Sequence, residues 1–444
     1  MQRTLLFCLG VLITVTHAQW NDTRKRKNDE ALPPKWNTIE LPLDYFNALD
    51  NRTFVARYLT NDQFYKEGGP IVVYVGGEWE IADYGVMGGV AFQLARKHNG
   101  YLHYPEHRYF GKSSPFPKLV DWQDLRYVTP DYSLADLVFT ITHLKSHVKG
   151  LQDSQVILIG GSYAGGLATW ARLKYPHIIS AAYACGGVIK TETENKIYEQ
   201  TIYDVYKKES PECLDIIYSG VKKAQQMYEN EEEKKVLVSM FKHIKCELNK
   251  RFDIKQLILL QFNFQVWPVE KVGNVCEYLL KHSTGAPLKR VLQTTIKFIK
   301  DQNNTCPPTD LNWHYLMCNF VGNIQTSNAT NFGNLIPFSQ QLRRSCSETF
   351  DSRYTAEFAK EHHRRVSMRY GDNTPDVTKV LSVQGTHDPW RSNSILDDLN
   401  DETPVVYVQG ANHCLELGEE QDEESPQVLQ SKYEILEQLS KWIR

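Results

Sequence analysis

No Cys-x-x-Cys pair occurs in this chain. The spacing that most often marks a zinc site is therefore missing, and no metal or other cofactor is expected. Neither sign of charge predominates: 50 basic and 53 acidic residues leave a formal net charge of −3, which argues against a nucleic-acid partner. The charged run 229–235 mixes signs and reads as an exposed helix or loop. Beyond the first residues no apolar run approaches the ~20 needed to span a bilayer, so no transmembrane segment is expected. Internal repeats and low-complexity tracts are absent as well, which sets aside solenoids and disordered arrays. What is present is an ordinary globular composition, 41% hydrophobic and 23% charged, spread over 444 residues. That length exceeds what one compact core usually holds, so a large domain with an insertion, or two domains, is expected.

The start of the chain reads as a secretory signal. Arg3 precedes the apolar stretch 5–13, and Thr16-His17-Ala18 offers a small-residue cleavage site, giving a signal over 1–18. A secreted or lysosomal location follows. Removing Cys8 with the signal turns nine cysteines into eight, an even number that suggests disulfides in an oxidising compartment. Asn21, Asn51, Asn303 and Asn328 stand in glycosylation sequons.

The most informative stretch is 156–166. An apolar run ends in Gly160 and Gly161, Ser162 follows, and small residues lead into helical spacing at Leu167, Trp170, Ala171 and Leu173. This is the layout of a nucleophile elbow, where a sharp strand-to-helix turn lifts a serine hydroxyl above a sheet. The glycines leave room for the turn and for a substrate. Ala164 stands where the bare motif has glycine, and it is small enough to serve. Two later segments repeat the design. Residues 379–384 run apolar, break at Gly385 and deliver Asp388. Residues 404–408 do the same, break at Gly410 and deliver His413. The order Ser162, Asp388, His413 is that of α/β-hydrolases. His387 competes with Asp388, and the His362-His363 pair lies in a charged helical stretch that is expected to be solvated.

Residues 36–187 alternate strand and helix signals, with strands at 70–77 and 100–104 and a helix over 133–144 capped by Asp131 or Ser133. Such alternation implies a mostly parallel sheet covered on both faces. The middle differs: helical windows at 197–206, 236–252, 278–282 and 291–300 accompany six cysteines between Cys213 and Cys346. The fold expected is α/β, an α/β-hydrolase fold with an inserted, disulfide-bonded helical cap domain. Its core comprises 19–189 and 351–444 and its cap 190–350. The cap would roof the carboxyl ends of the strands, where ligands bind in such sheets. An amphipathic helix with Tyr433, Leu436, Leu439 and Trp442 closes the chain.

Six pieces in order resemble the family of serine exopeptidases that contains prolyl carboxypeptidase, dipeptidyl peptidase II and thymus-specific serine protease. They are 61–65 (Asn-Asp-Gln-Phe-Tyr), 68–78 (from Gly68 to Glu78), 106–113 (from Glu106 to Ser113), 160–163, 388–390 and His413-Cys414. The His-Cys pair is most similar to the thymus-specific branch. The resemblance runs from about Leu41 to the carboxyl end and implies the same triad, the capped fold and a preference for proline before the scissile bond. Trp79-Glu80 after the glycine pair departs from the family and leaves the shape of the substrate-binding end open.

The backbone N–H of Tyr163, with one from Gly77 or Glu78, is the expected oxyanion hole. Trp390 is a candidate wall for a proline-sized pocket. Glu106, His107 and Arg108 are expected to form a buried polar brace rather than to take part in chemistry. The expected activity is that of a serine-type exopeptidase, a dipeptidyl peptidase or a carboxypeptidase, acting on peptide substrates. An esterase or lipase on the same fold and a catalytically silent binding protein are the alternatives. A homodimer is compatible with the sequence.

Overall fold

The computed structural model describes residues 31–116, 118, 121–240, 270–301, 311–327, 337–418 and 424–444. The signal segment, Asn21, Asn303, Asn328, Cys246, Cys306 and the second part of the 236–252 window lie outside the described residues.

The chain builds an eight-stranded sheet in the order β1-β2-β4-β3-β5-β6-β9-β10. Its strands are β1 (Lys35–Pro42), β2 (Thr53–Asn61), β3 (Ile71–Tyr74), β4 (Tyr101–Pro105), β5 (Val156–Gly161), β6 (Ala181–Cys185), β9 (Val380–Gly385) and β10 (Val405–Val408). The two short strands between β6 and β9, β7 (Glu194–Asn195) and β8 (Ile324–Gln325), pair separately. Only β2 runs antiparallel to its neighbours in the large sheet; every other adjacent pair is parallel.

Period-two packing explains the central strands. Val156 and Leu158 of β5 face one apolar cluster, while Ile157 and Ile159 face the other. Both faces are covered, so the strand reads as one unbroken apolar run. Helices α1 (Gly89–His98) and α11 (Pro426–Ser440) cover one face. Helices α2 (Pro130–His147), α3 (Tyr163–Lys174) and α10 (Ala356–Tyr370) cover the other. There Trp170 of α3, fully buried, stacks on Tyr370 of α10 with ring centroids 4.4 Å apart. Pro130 at the first position of α2 leaves Thr129 as its cap, accepting from the Tyr132 N–H. Neither Asp131 nor Ser133 caps it, because the helix already begins at Pro130, whose missing N–H is one the first turn would leave unpaired anyway.

Between β6 and β9 the described residues, β7 and β8 apart, are mainly helical: α4 (Ile197–Glu209), α5 (Pro211–Glu229), α6 (Glu231–Met240), α7 (Glu270–Glu277), α8 (Pro287–Asp301) and α9 (Leu311–Leu316). Residues of α4, α5, α7 and α8 share an apolar cluster of their own. Cys213–Cys276 staples α5 to α7. A second disulfide, Cys318–Cys346, lies further along, where Tyr315, Leu316 and Phe350 pack into the cluster beneath the large sheet. The fold is an α/β-hydrolase carrying an inserted, disulfide-bonded helical cap.

His363 corrects an expectation. It lies on the inner side of α10 and is 1% exposed, its Nε2 bonded to the Met317 carbonyl (2.8 Å) and its Nδ1 to Thr193 Oγ1 (3.0 Å). Charged neighbours along the sequence hid it, since helical spacing brings only some of them to its face. Burial lowers its pKa to about 4, so it stands there neutral.

Candidate active site

Strand β5 ends at Gly161, and Ser162 turns the chain into α3 with φ 57° and ψ −130°, a conformation that non-glycine residues rarely hold. The turn is tied on both sides. The Ser162 N–H donates to the Cys185 carbonyl (2.8 Å), and its own carbonyl accepts from Gly166 and Val188 (3.1 Å each). A Cβ on Gly160 would stand 2.3 Å from the Ala164 carbonyl oxygen, so the helix can fold back on its strand only over a glycine.

Two neighbouring turns bring the other groups. After β9, Asp388 is fully buried and bonds through Oδ2 to His413 Nδ1 at 2.7 Å, while its Oδ1 accepts from the Trp390 N–H at 2.8 Å. A carboxylate can only accept, so Nδ1 carries the proton of this bond. The turns are cross-linked by Thr386 N–H to the Val408 carbonyl and His387 N–H to the Ala411 carbonyl. Burial, with the nearby charges of Lys208 and Arg391, lowers the His387 pKa. Burial alone would lower the His413 pKa. The Asp388 charge and hydrogen bond outweigh it, with help from Cys414 and Glu78, and push the imidazole up to about 9.

The Cys185 carbonyl joins the two halves, since it accepts from Ser162 N–H and from Cys414 Sγ (3.0 Å). Cys185 and Cys414 are free thiols, not members of a disulfide as the even cysteine count suggested. The Cys185 thiol instead donates to the buried Glu416 carboxylate (2.7 Å), which also takes the Tyr183 hydroxyl (2.9 Å). Beside the pair, Gly186 has φ 49°, and a Cβ there would stand 2.8 Å from both Asp388 Oδ2 and His413 Cε1.

On the other side of the elbow, Gly77 and Glu78 follow β3. The Trp79 ring folds over Gly77 and bonds Tyr104 Oη through Nε1 at 2.7 Å, and Glu80 pairs with Arg57 at 2.6 Å. Glu78 is half-buried, and its charge reaches both His413 and Tyr163. Beneath this loop Glu106 accepts from Arg57, Ser113 Oγ and the N–H groups of Ile81 and Lys112. Fully buried Arg108 grips Asp136 with two bonds of 2.6 and 2.7 Å. From the cap side, the Trp390 ring lies 4.5 Å from His413 and is met edge-on by Tyr198 of α4 at 4.7 Å. Trp313 of α9 meets the buried Tyr163 ring at 5.6 Å.

This arrangement can be compared with known proteins. The family model of serine carboxypeptidase S28 matches residues 41–266 and 263–435. The chain belongs to the serine carboxypeptidase S28 family. As an S28 member it is a serine-type peptidase, a hydrolase whose substrates are peptides. It is 28% identical to the thymus-specific serine protease of Mus musculus over 93% of this chain and 88% of that one. It is 25% identical to the lysosomal Pro-X carboxypeptidase of Mus musculus over 94% and 91%. Among solved structures it is similar to a proline iminopeptidase of Mycobacterium smegmatis (TM-score 0.40, 11% identical, covering 91% and 98%). No helix among the described residues is long and apolar enough to cross a membrane.

Sequence reasoning did not single out Gly186, Tyr198 or Trp313 at this site. Gly186 follows a strand, as Gly161 and Gly385 do, and that shared signal could have found it. Tyr198 and Trp313 sit in helices whose local pattern says only that an aromatic packs somewhere.

Proposed function

We propose that this chain is a secreted or lysosomal serine exopeptidase that cleaves peptides after proline through an acyl-enzyme. One observation carries the reading: a buried carboxylate bonded to an imidazole at 2.7 Å, tied through the Cys185 carbonyl to a serine in a strained strand-to-helix turn. Ser162 Oγ attacks the scissile carbonyl while His413 takes its proton and later returns it to the leaving amine. Asp388 fixes the tautomer and stabilises the imidazolium. The oxyanion receives the N–H of Tyr163 and one from the loop at Gly77-Glu78. Trp390, backed by the buried Tyr198, offers an aromatic wall beside His413 against which a proline ring can pack. The cap over 190–350 roofs the site and restricts it to chain ends. Relatives whose names carry lysosomal and Pro-X support the location and the specificity.

Mass spectrometry of proline-containing peptides after digestion tests this reading. Loss of a fragment from one end, cut after proline, is expected, with no product from Ser162→Ala. Turnover of short acyl esters alone, with every peptide intact, would contradict it.

A further inference from the structure

We propose that His107 is a positioning residue of the oxyanion hole, holding the side chain of Tyr163 and the loop at Gly76-Gly77 in register with each other. The proposal rests on the catalytic reading above and extends it to a residue that never meets the substrate.

His107 lies just past β4, 6% exposed. Its Nδ1 bonds the Arg108 carbonyl at 2.7 Å, and a carbonyl only accepts, so the proton sits on Nδ1. Nε2 is then an acceptor, and two hydroxyls face it: Ser133 Oγ at 2.7 Å and Tyr163 Oη at 3.3 Å. Burial lowers the His107 pKa to about 4, which keeps this acceptor unprotonated at neutral pH. Tyr163 is the residue directly after Ser162, and its N–H is the first oxyanion donor. Its ring is held between His107 and Trp313, each 5.6 Å away, and its hydroxyl ends on the imidazole.

The second donor loop rests on the same residue. A Cβ on Gly76 would stand 2.3 Å from the Pro105 carbonyl oxygen and 3.1 Å from the His107 nitrogen, so the loop lies flat on that backbone. The frame behind is stiff. Arg108 holds Asp136 through two bonds and reaches the Leu43, Tyr127 and Pro42 carbonyls. Ser133 and Asp136 stand one turn apart on α2, so a single helix anchors both His107 and Arg108. The two oxyanion donors come from different strands, and His107 lies between them: its ring meets the Tyr163 side chain, and its backbone lies under Gly76, the residue before the second donor loop. Oxyanion donors act only at the correct distance from a charge that exists in the transition state. A shift of either donor should therefore lower kcat and leave substrate affinity nearly intact.

The test compares His107→Leu, His107→Gln and Tyr163→Phe in the full-length secreted protein. His107→Leu and Tyr163→Phe should each lower kcat by about 10- to 100-fold, with KM changed less than about threefold. His107→Gln keeps an acceptor near the Nε2 position and should recover most of the rate. The inhibition constant of a peptide aldehyde should rise in step with the loss of kcat/KM, while that of a product peptide stays constant. An unchanged kcat in Tyr163→Phe or His107→Leu, or a loss confined to KM, overturns the proposal. Should His107→Leu fail to fold, Tyr163→Phe and His107→Gln carry the test. Ser162→Ala separates the two levels. Its activity vanishing while the His107 variants keep theirs overturns the positioning role alone, whereas an active Ser162→Ala removes both.

Discussion

Gly186 shows how much of the site depends on an atom that is missing. With φ 49° and no Cβ it lets Asp388 and His413 approach to 2.7 Å. Gly186→Ala would insert a methyl group 2.8 Å from both and is expected to lower kcat by on the order of 10²–10⁴, the range seen when a triad loses its carboxylate's hold on the imidazole. A folded variant with unchanged kcat would contradict this. The raised pKa of His413 has its own consequence. In the proposed mechanism the imidazole must be unprotonated to act as the base, so kcat/KM should climb with pH through an apparent pKa above the usual 6.5 of imidazole. A profile that falls from pH 6 to pH 8 would argue that another group sets the rate. At this scale the sequence was most legible where a strand ends in glycine: Ser162, Asp388 and His413 each follow such a break, and the fold brings Asp388 and His413 into a hydrogen bond. Tyr198 and Trp313 were not legible, because their roles come from distant helices folding over the site.

Strands and helices are legible where one face or both are buried without exception. The runs at 70–77 and 156–161 became β3 and β5, and the helical windows at 197–206 and 291–300 became parts of α4 and α8. The pairing of β1 with β2 was not foreseen. β1 lies at the edge of the sheet and leaves four of its eight residues exposed, and alternation of that kind competes with turn signals in the sequence. Nor did cysteine parity say which thiols pair: Cys213 finds Cys276 across 63 residues, while Cys185 prefers a carboxylate. By loop-closure entropy a bridge of that span contributes about 4 kcal/mol. Cys213→Ser with Cys276→Ser should therefore lower the thermal midpoint of the cap, whose apolar cluster is separate from those of the sheet. An unchanged midpoint would mean that α5 and α7 are held by packing alone.

For the molecule as a whole, its histidines set opposing limits on stability. His103, His107 and His363 are buried with pKa values lowered to about 3, 4 and 4. The unfolded chain binds protons at these positions near pH 6.5, so stability should fall as pH drops from 6.5 toward 4. Each contributes up to about 1.4 kcal/mol per pH unit. His413 works the other way: its raised pKa gives stability that is present below 6.5 and is lost as pH rises through about 9. Urea titrations from pH 4 to 9 should place maximal stability between these limits, and a monotonic rise toward pH 4 would contradict it. The topology supports the wider account, since Ser162, Asp388 and His413 stand at or just beyond the carboxyl ends of β5, β9 and β10, on the rim where such sheets bind ligands.

The most direct test of the central claim is to treat the folded protein with a fluorophosphonate and map the adduct by mass spectrometry. One adduct is predicted, on Ser162, absent from Ser162→Ala and much slower to form in His413→Ala. A folded protein that takes no label, or takes it on another residue, would contradict the account.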